Sequence, residues 1–134
     1  MNIIPFPGSR GQSPRRGPVE LPRPTPERPN LAVASSNGRE VDLHLGEAAW
    51  LLIVGPWPDG TYGVLSKREA PEPGGNRWQR LAKDLADCFA LLVADAGDNP
   101  RRILAENGIP VLTGEGGLAG LAETIFTAGS GEVS

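Results

Sequence analysis

The sequence predicts one α/β domain with a mixed five-stranded sheet and about three helices. Five short apolar segments bounded by turn residues, all between residues 31 and 112, have the length and composition of buried strands. In the second half of the chain these segments alternate with stretches whose apolar residues recur at helical spacing. Such alternation is typical of parallel strands connected by helices, and 134 residues are enough for one domain of this kind.

Three strands are predicted in the first half. Residues 31–35 and 50–54 are continuous apolar runs, and residues 61–66 show the alternation of a strand. Residues 58–60, Pro-Asp-Gly, predict a turn between the last two strands, which should therefore pair as an antiparallel hairpin. Prolines and glycines in residues 67–75 then predict an irregular loop.

The second half should begin with a helix, a strand and a second helix. Asn76 can cap the first helix, and residues 89–94 form a buried strand that should have a parallel partner. Asn99 and Pro100 suit the N-cap and the first position of the second helix. Gly108 should end that helix in a left-handed conformation.

A last strand and a last helix complete the predicted domain. Residues 109–112 form a short strand, which Pro110 places near the edge of the sheet. From Leu118 onwards, apolar residues recur at i, i+3, i+4, i+7 and i+8, which predicts a helix. Residues 129–134 are small and polar and should fray.

Residues 1–29 are predicted to form a disordered tail rich in proline and arginine, so that the domain proper begins at residue 30. Eight of the fourteen prolines lie in this tail, and proline removes a backbone donor and fixes φ. The tail could act as a tether or docking arm, but its composition favours an inert leader.

Charge and cysteine content exclude several classes of function. Residues 30–134 carry eight Lys or Arg and fourteen Asp or Glu, which argues against nucleic-acid binding because that requires a basic surface. The chain has no apolar run near the ~20 residues of a membrane span and no signal-peptide stretch, so we expect a cytoplasmic protein. Cys88, the single cysteine, cannot form an internal disulfide or a cysteine-only zinc or iron–sulfur site.

Candidate ligand-binding residues lie in three segments that should leave strands at one edge of the sheet, where ligands of open α/β sheets gather. The first segment carries His44, the only histidine, with Gly46 beside it to permit close approach. The second contains Gly97 and Asn99, at a helix start whose free N–H groups favour an anion. The third is glycine-rich and contains Gly117. A lone histidine is nevertheless more often a surface or capping residue.

Two side chains could ligate a metal. The imidazole of His44 has a lone pair to donate, and the thiol of Cys88 is a soft ligand for iron. The position of Cys88 between a helix and a strand favours a packed, unreactive thiol.

Three segments of the chain, in this order, resemble a known family. Residues 41–48 are Val-Asp-Leu-His-Leu-Gly-Glu-Ala, residues 87–93 are Asp-Cys-Phe-Ala-Leu-Leu-Val, and residues 103–111 are Ile-Leu-Ala-Glu-Asn-Gly-Ile-Pro-Val. Together they resemble the nitrogenase cofactor-biosynthesis accessory domain of the NifX/NafY type, which also occurs fused to the C-terminus of NifB proteins. The resemblance covers about residues 29–128, with Leu45 where many members carry an aromatic residue.

The resemblance implies a ribonuclease-H-like topology and a non-catalytic function in nitrogen fixation. Members of this family bind iron–sulfur precursors of the iron-molybdenum cofactor, or the finished cofactor, and pass them between assembly proteins. It implies that His44 contacts the cluster, and that the partners are a cluster synthase and scaffold or apo-nitrogenase. The chain lacks the three-cysteine motif that the radical chemistry of full-length NifB-type enzymes needs, so it resembles the carrier without the synthase.

Two other interpretations stay open. A ribonuclease-H-like sheet could support a divalent-metal-dependent hydrolase that uses Asp42, Asp95 and Asp98. Alternatively, the chain could be an assembly factor that binds another protein and has no cluster site.

Overall fold

Seven strands, three α-helices and one 3₁₀ turn make up the computed structural model, which describes residues 21–130 and the side chains up to Thr127. In chain order these elements are β1 (Asn30–Val33), β2 (Glu40–Val41), the 3₁₀ turn (Leu45–Glu47), β3 (Trp50–Pro56), β4 (Tyr62–Glu69), α1 (Arg77–Asp84), β5 (Cys88–Val93), α2 (Asp98–Glu106), β6 (Val111–Thr113), β7 (Gly116–Gly117) and α3 (Leu118–Ser130). None of the helices described is long and apolar enough to span a bilayer.

Five of the strands form one mixed sheet in the order β4-β3-β1-β5-β6. The β3–β4 hairpin is antiparallel and β3 is also antiparallel to β1, whereas β1, β5 and β6 are parallel to one another. The predicted α/β domain with a mixed five-stranded sheet and three helices is therefore confirmed. The strand order is compatible with the ribonuclease-H-like topology that the resemblance implies.

A second, two-stranded sheet is formed by β2 and β7, in which Glu40 pairs with Gly117 and Val41 with Gly116. Directly after it, the N–H of Leu118 donates to the carbonyl of Arg39 at 2.8 Å. The sequence does not predict this pair, because two residues are too few for an alternating pattern and β7 consists of glycine alone. The small sheet attaches the segment before His44 to the start of α3.

Helices cover both faces of the main sheet at its inner strands β1, β3 and β5, and successive residues of a strand point to opposite faces. On one face the helices α1 and α2 cover a cluster that includes Ala32, Leu51, Ile53, Leu91 and Val93. On the other face α3 alone, among the helices described, covers a cluster that includes Leu31, Val33, Val54, Phe89 and Leu92. All six residues of β5 are buried, as an uninterrupted apolar run predicts.

The predicted helix ends are partly wrong. The helix α2 begins at Asp98 with Gly97 as its N-cap, so the prediction that Asn99 caps it is wrong. The Oδ1 atom of Asn99 instead accepts a hydrogen bond from Arg102 at 2.7 Å within the first turn. Asn76 does stand at the N-cap of α1, but its side chain makes no capping hydrogen bond. Gly108 has a φ of +88°, as predicted for the residue that ends α2.

Part of the predicted tail contacts the domain. Residues 21–29 contain no regular secondary structure, yet Arg28 donates to the carbonyl of Cys88 at 3.0 Å and to that of Asn107 at 3.4 Å. A side chain added at Gly108 would lie 3.3 Å from the Arg28 guanidinium. Residues 1–20, the rest of the predicted disordered tail, and residues 131–134, most of the predicted frayed end, lie outside the described part of the chain.

A polar cluster around Asp87 connects the hairpin, β1 and the start of β5. The carboxylate of Asp87 accepts hydrogen bonds from Arg68 Nη1 and Nη2 at 2.7 and 2.8 Å, and from Asn30 Nδ2 at 2.8 Å. The paired guanidinium is the main reason why the pKa of Asp87 is well below its usual range, with the Asn30 hydrogen bond as a smaller cause. This two-pronged Arg–carboxylate geometry is the strong form of an ion pair.

We expect Asp87→Asn to lower the free energy of unfolding at pH 7 by about 1 kcal/mol, a modest value because both partners are about a third exposed. The folded-state pKa of Asp87 lies below that of the unfolded chain. The ion pair therefore stabilises fully above the unfolded pKa of about 3.9 and is lost as the pH falls through the folded pKa. Denaturant unfolding from pH 7 to pH 2 should show the difference between variant and wild type shrinking below about pH 4. Asp84→Asn is the matched control, and a difference that stayed constant with pH would contradict the assignment.

Candidate functional site

His44 lies in a loop that continues the sheet beyond the end of β1. The N–H of Leu45 donates to the carbonyl of Asp95 at 2.8 Å, and the N–H of Ala94 donates to the carbonyl of Leu43 at 3.0 Å. His44 and Asp95 thus form an isolated parallel bridge just past the carboxyl end of β5. These backbone hydrogen bonds fix the position of a half-buried imidazole that the sequence alone places only in a loop.

The imidazole of His44 caps the 3₁₀ turn that follows it. Its Nδ1 atom accepts a hydrogen bond from the N–H of Gly46 at 2.9 Å, which requires an unprotonated Nδ1. A Cβ atom at Gly46 would lie 3.3 Å from Nδ1 and 3.4 Å from Cε1, so glycine allows the ring to lie close against the turn. In the neutral ring the proton is then on Nε2, so ligation of a metal through Nε2 requires the proton to move to Nδ1.

The second predicted segment connects β5 to α2 beside His44. Gly97 is the N-cap of α2, so free backbone N–H groups at the helix start lie on this edge of the sheet. The Oδ1 atom of Asp95 accepts from the N–H of Ala96 at 2.9 Å and lies 3.9 Å from Nη2 of Arg101, whose Nε donates to the carbonyl of Ala96 at 3.2 Å. Arg101 thereby offsets the charge of Asp95 and holds the turn that carries Gly97.

The third predicted segment follows β6 at the same edge. The N–H of Gly114 donates to the carbonyl of Val93 at 3.0 Å, which places the start of this segment against the end of β5. Gly117 is exposed and pairs with Glu40 in the small sheet. The structure thus brings the three segments with His44, Gly97 and Gly117 to one edge. The side chain of Asn99 is engaged with Arg102 within α2.

Cys88 lies at the other end of the sheet. It opens β5, seven residues before Asp95, which at about 3.3 Å per residue is a separation of roughly 20 Å. Its thiol is fully buried, and burial, with a smaller effect of the neighbouring Asp87 charge, raises the pKa of Cys88 to about 12. His44 and Cys88 therefore cannot ligate the same metal ion, and the thiol stays protonated near neutral pH.

The carboxylates proposed for a hydrolase do not converge. Asp42 accepts hydrogen bonds from the N–H and the hydroxyl of Ser36 at 2.9 and 2.5 Å, and these bonds lower the pKa of Asp42. Asp95 is held by Ala96 and Arg101, as described above. Across residues 21–127, no group of three or more His, Cys, Asp or Glu side chains is placed to hold a metal ion.

Comparison with known proteins agrees with the resemblance seen in the sequence. Residues 29–128 match the profile of the family described as "Dinitrogenase iron-molybdenum cofactor". The FeMo cofactor biosynthesis protein NifB of Chlorobaculum tepidum is 39% identical over 107 residues. That alignment covers 78% of this chain but 25% of NifB, so the chain spans about a quarter of its relative's length.

A solved structure is similar in fold. The crystal structure of PH0822 superposes with a TM-score of 0.54 and 19% sequence identity, over 71% of this chain and 87% of that one. Similarity at this level of identity supports the architecture alone. The profile match covers most of the sequence, however, and the chain therefore belongs to the dinitrogenase iron-molybdenum cofactor family.

Proposed function

We propose that this chain is a non-catalytic carrier that binds an iron–sulfur precursor of the iron-molybdenum cofactor, or the cofactor itself, and passes it between assembly proteins. Membership of the family implies involvement in the biosynthesis of this cofactor. The donors and recipients that fit are a cluster synthase, a scaffold and apo-nitrogenase, in the cytoplasm. The observation that carries the proposal is the imidazole of His44, held by Gly46 beyond the carboxyl end of β5, the edge at which open α/β sheets commonly bind ligands.

The surroundings of His44 suit an anionic metal–sulfur cluster. Backbone N–H groups at the start of α2, next to Gly97, can donate to sulfur or to negative charge, and the helix dipole has the same sign. The carboxylate of Asp95 opposes an anion, but Arg101 lies beside it and offsets its charge. Backbone donors and one imidazole form a small ligand set, which suits transient binding of a cargo rather than permanent retention.

Binding through Nε2 has a consequence for the turn. A neutral imidazole that ligates iron through Nε2 carries its proton on Nδ1, and this nitrogen then no longer accepts the N–H of Gly46. The N–H of Gly46 is released from the ring and becomes a further donor beside the ligand. Before binding, Gly46 thus lets the His44 ring lie close against the turn. After binding, its N–H can donate to the ligand.

The test is anaerobic mixing of the full chain with isolated precursor cluster, followed by gel filtration and iron analysis of the protein peak. We expect iron and sulfide to elute with the protein and to transfer to a recipient without any chemical change of the cluster. A protein peak without iron at every cluster concentration would rule out the carrier function. Metal-dependent cleavage of a phosphoester by the pure protein, lost in Asp42→Asn/Asp95→Asn, would instead establish the hydrolase.

A further inference from the structure

The β3–β4 hairpin carries a group of exposed apolar side chains. Within the described residues, the large hydrophobic side chains that are more than a third exposed are Trp57, Tyr62, Val64 and Leu65, at 41 to 45%. All four lie between residues 57 and 65, at one edge of the main sheet. Tyr62 and Val64 lie on the face covered by α3, whereas Trp57 and Leu65 lie on the other face, against Gly63 and Gly55. Single exposed apolar residues are ordinary in monomers, but here both faces of one sheet edge expose them, which favours an interaction along that edge.

The strand β4 forms one edge of the main sheet. It is eight residues long, and no other strand of the described chain pairs with its outer side. Between β4 and α3 runs a groove of about 660 Å³, lined mainly by apolar side chains such as Val54, Tyr62, Val64 and Leu118. An open edge strand offers its backbone donors and acceptors to a strand of another molecule.

Hydrogen bonds at the two ends of the hairpin indicate which residues of β4 face outwards. The carbonyl of Thr61 accepts from Trp57 at 2.7 Å and the N–H of Ala70 donates to Ala49 at 2.9 Å, so Thr61 and Ala70 both face β3. Backbone groups alternate along a strand, with one shift here at the irregularity opposite Ile53 and Val54. The backbone groups that face outwards therefore belong to Tyr62, Val64, Lys67 and Glu69.

We propose that β4 pairs antiparallel with β4 of a second copy of this chain, so that the two main sheets become one of ten strands. A two-fold register sets Tyr62 against the partner's Glu69 and Val64 against the partner's Lys67. This register brings outward-facing backbone groups together on both strands, as an antiparallel ladder requires. It also sets no like charges opposite each other.

The side chains agree with this register. Tyr62 stacks on Phe126, and Lys67 lies over the ring of Trp50 at 4.2 Å, so both project to the face covered by α3. In the proposed pair the aliphatic stem of Lys67 covers the exposed Val64 of the other copy, next to the groove. The strand β4 runs parallel to β1, beyond whose end His44 lies. Because the two β4 strands would be antiparallel, the sheet edges that carry His44 would lie at opposite ends of the dimer, and both would remain accessible.

The test measures the mass of the full chain by analytical ultracentrifugation over a wide range of concentrations. We expect the mass to rise from the 14.1 kDa of one chain towards twice that value. Val64→Lys and Val64→Glu form a matched pair, because both remove the same apolar side chain. Val64→Lys sets a like charge against the partner's Lys67, and Val64→Glu sets an opposite charge against it. The dissociation constant of Val64→Lys should exceed that of Val64→Glu by at least about ten-fold. Adding Lys67→Glu to Val64→Lys should restore the dimer.

Unchanged circular dichroism and thermal midpoints would show that these variants are folded, as expected for a side chain that is 42% exposed. A wild-type chain that stays monomeric at every concentration overturns the proposal. So does a dimer that the two variants affect equally, because such a dimer uses another surface. A monomer that dimerises only after removal of residues 1–20 also overturns it, because the N-terminal segment then covers this edge.

Discussion

Phe126→Ala is expected to lower the free energy of unfolding by about 3–5 kcal/mol, the usual cost of truncating a buried phenylalanine. The Phe126 side chain is 1% exposed. Its ring stacks on Tyr62 with centroids 4.1 Å apart and meets Phe89 edge-on at 5.4 Å. One side chain thus connects α3 to the edge strand β4 and to the inner strand β5. Its removal leaves a cavity beneath the only helix described on that face. The loss is a large part of the about 5–15 kcal/mol by which domains are stable.

Chemical denaturation followed by far-ultraviolet circular dichroism measures this effect. Phe126→Leu is the matched control, because leucine keeps most of the apolar volume and loses only the aromatic contacts. Its cost should be less than half that of the alanine variant. A loss below about 1 kcal/mol for Phe126→Ala, within the range of an ordinary surface substitution, would show that the ring is not part of the core.

The main sheet follows from local patterns in the sequence. The apolar run of β5 is buried over its whole length, the Pro-Asp-Gly turn joins β3 to β4, and Gly108 adopts the left-handed conformation that ends α2. These features depend on residues close together in the chain, so periodicity and turn chemistry are sufficient to predict them. The order of the strands in the sheet depends on contacts between distant residues, which local patterns do not specify.

The candidate site could be predicted only in outline. The rule for open α/β sheets places the segments with His44, Gly97 and Gly117 at one edge, and the structure has them there. No local pattern indicates that Asp42 turns back to Ser36, that Gly117 pairs with Glu40, or that Asp95 holds the backbone of Leu45. Nor does composition reveal that the one histidine and the one cysteine lie at opposite ends of β5. These arrangements depend on how the chain folds, and the amino acids adjacent in sequence do not indicate them.

The second large effect concerns binding, because His44 is the one imidazole at the candidate site. His44→Ala should weaken binding of the precursor cluster by at least about ten-fold, which corresponds to 1.4 kcal/mol. The variant should remain folded, since the ring is only half-buried and lies in a loop at the edge of the sheet. Anaerobic titration with iron analysis of the protein-bound fraction measures the affinity.

Two further variants separate ligation by His44 from its other roles. In His44→Asn, the amide oxygen can still accept the N–H of Gly46 and cap the 3₁₀ turn, but no imidazole is present to ligate iron. We expect this variant to bind as weakly as His44→Ala, whereas wild-type affinity would mean that His44 only shapes the turn. Cys88→Ala should bind as tightly as wild type and lose about 1 kcal/mol of stability, because its thiol is buried at the opposite end of β5. Loss of binding in Cys88→Ala together with full binding in His44→Ala would move the site to the other end of the sheet.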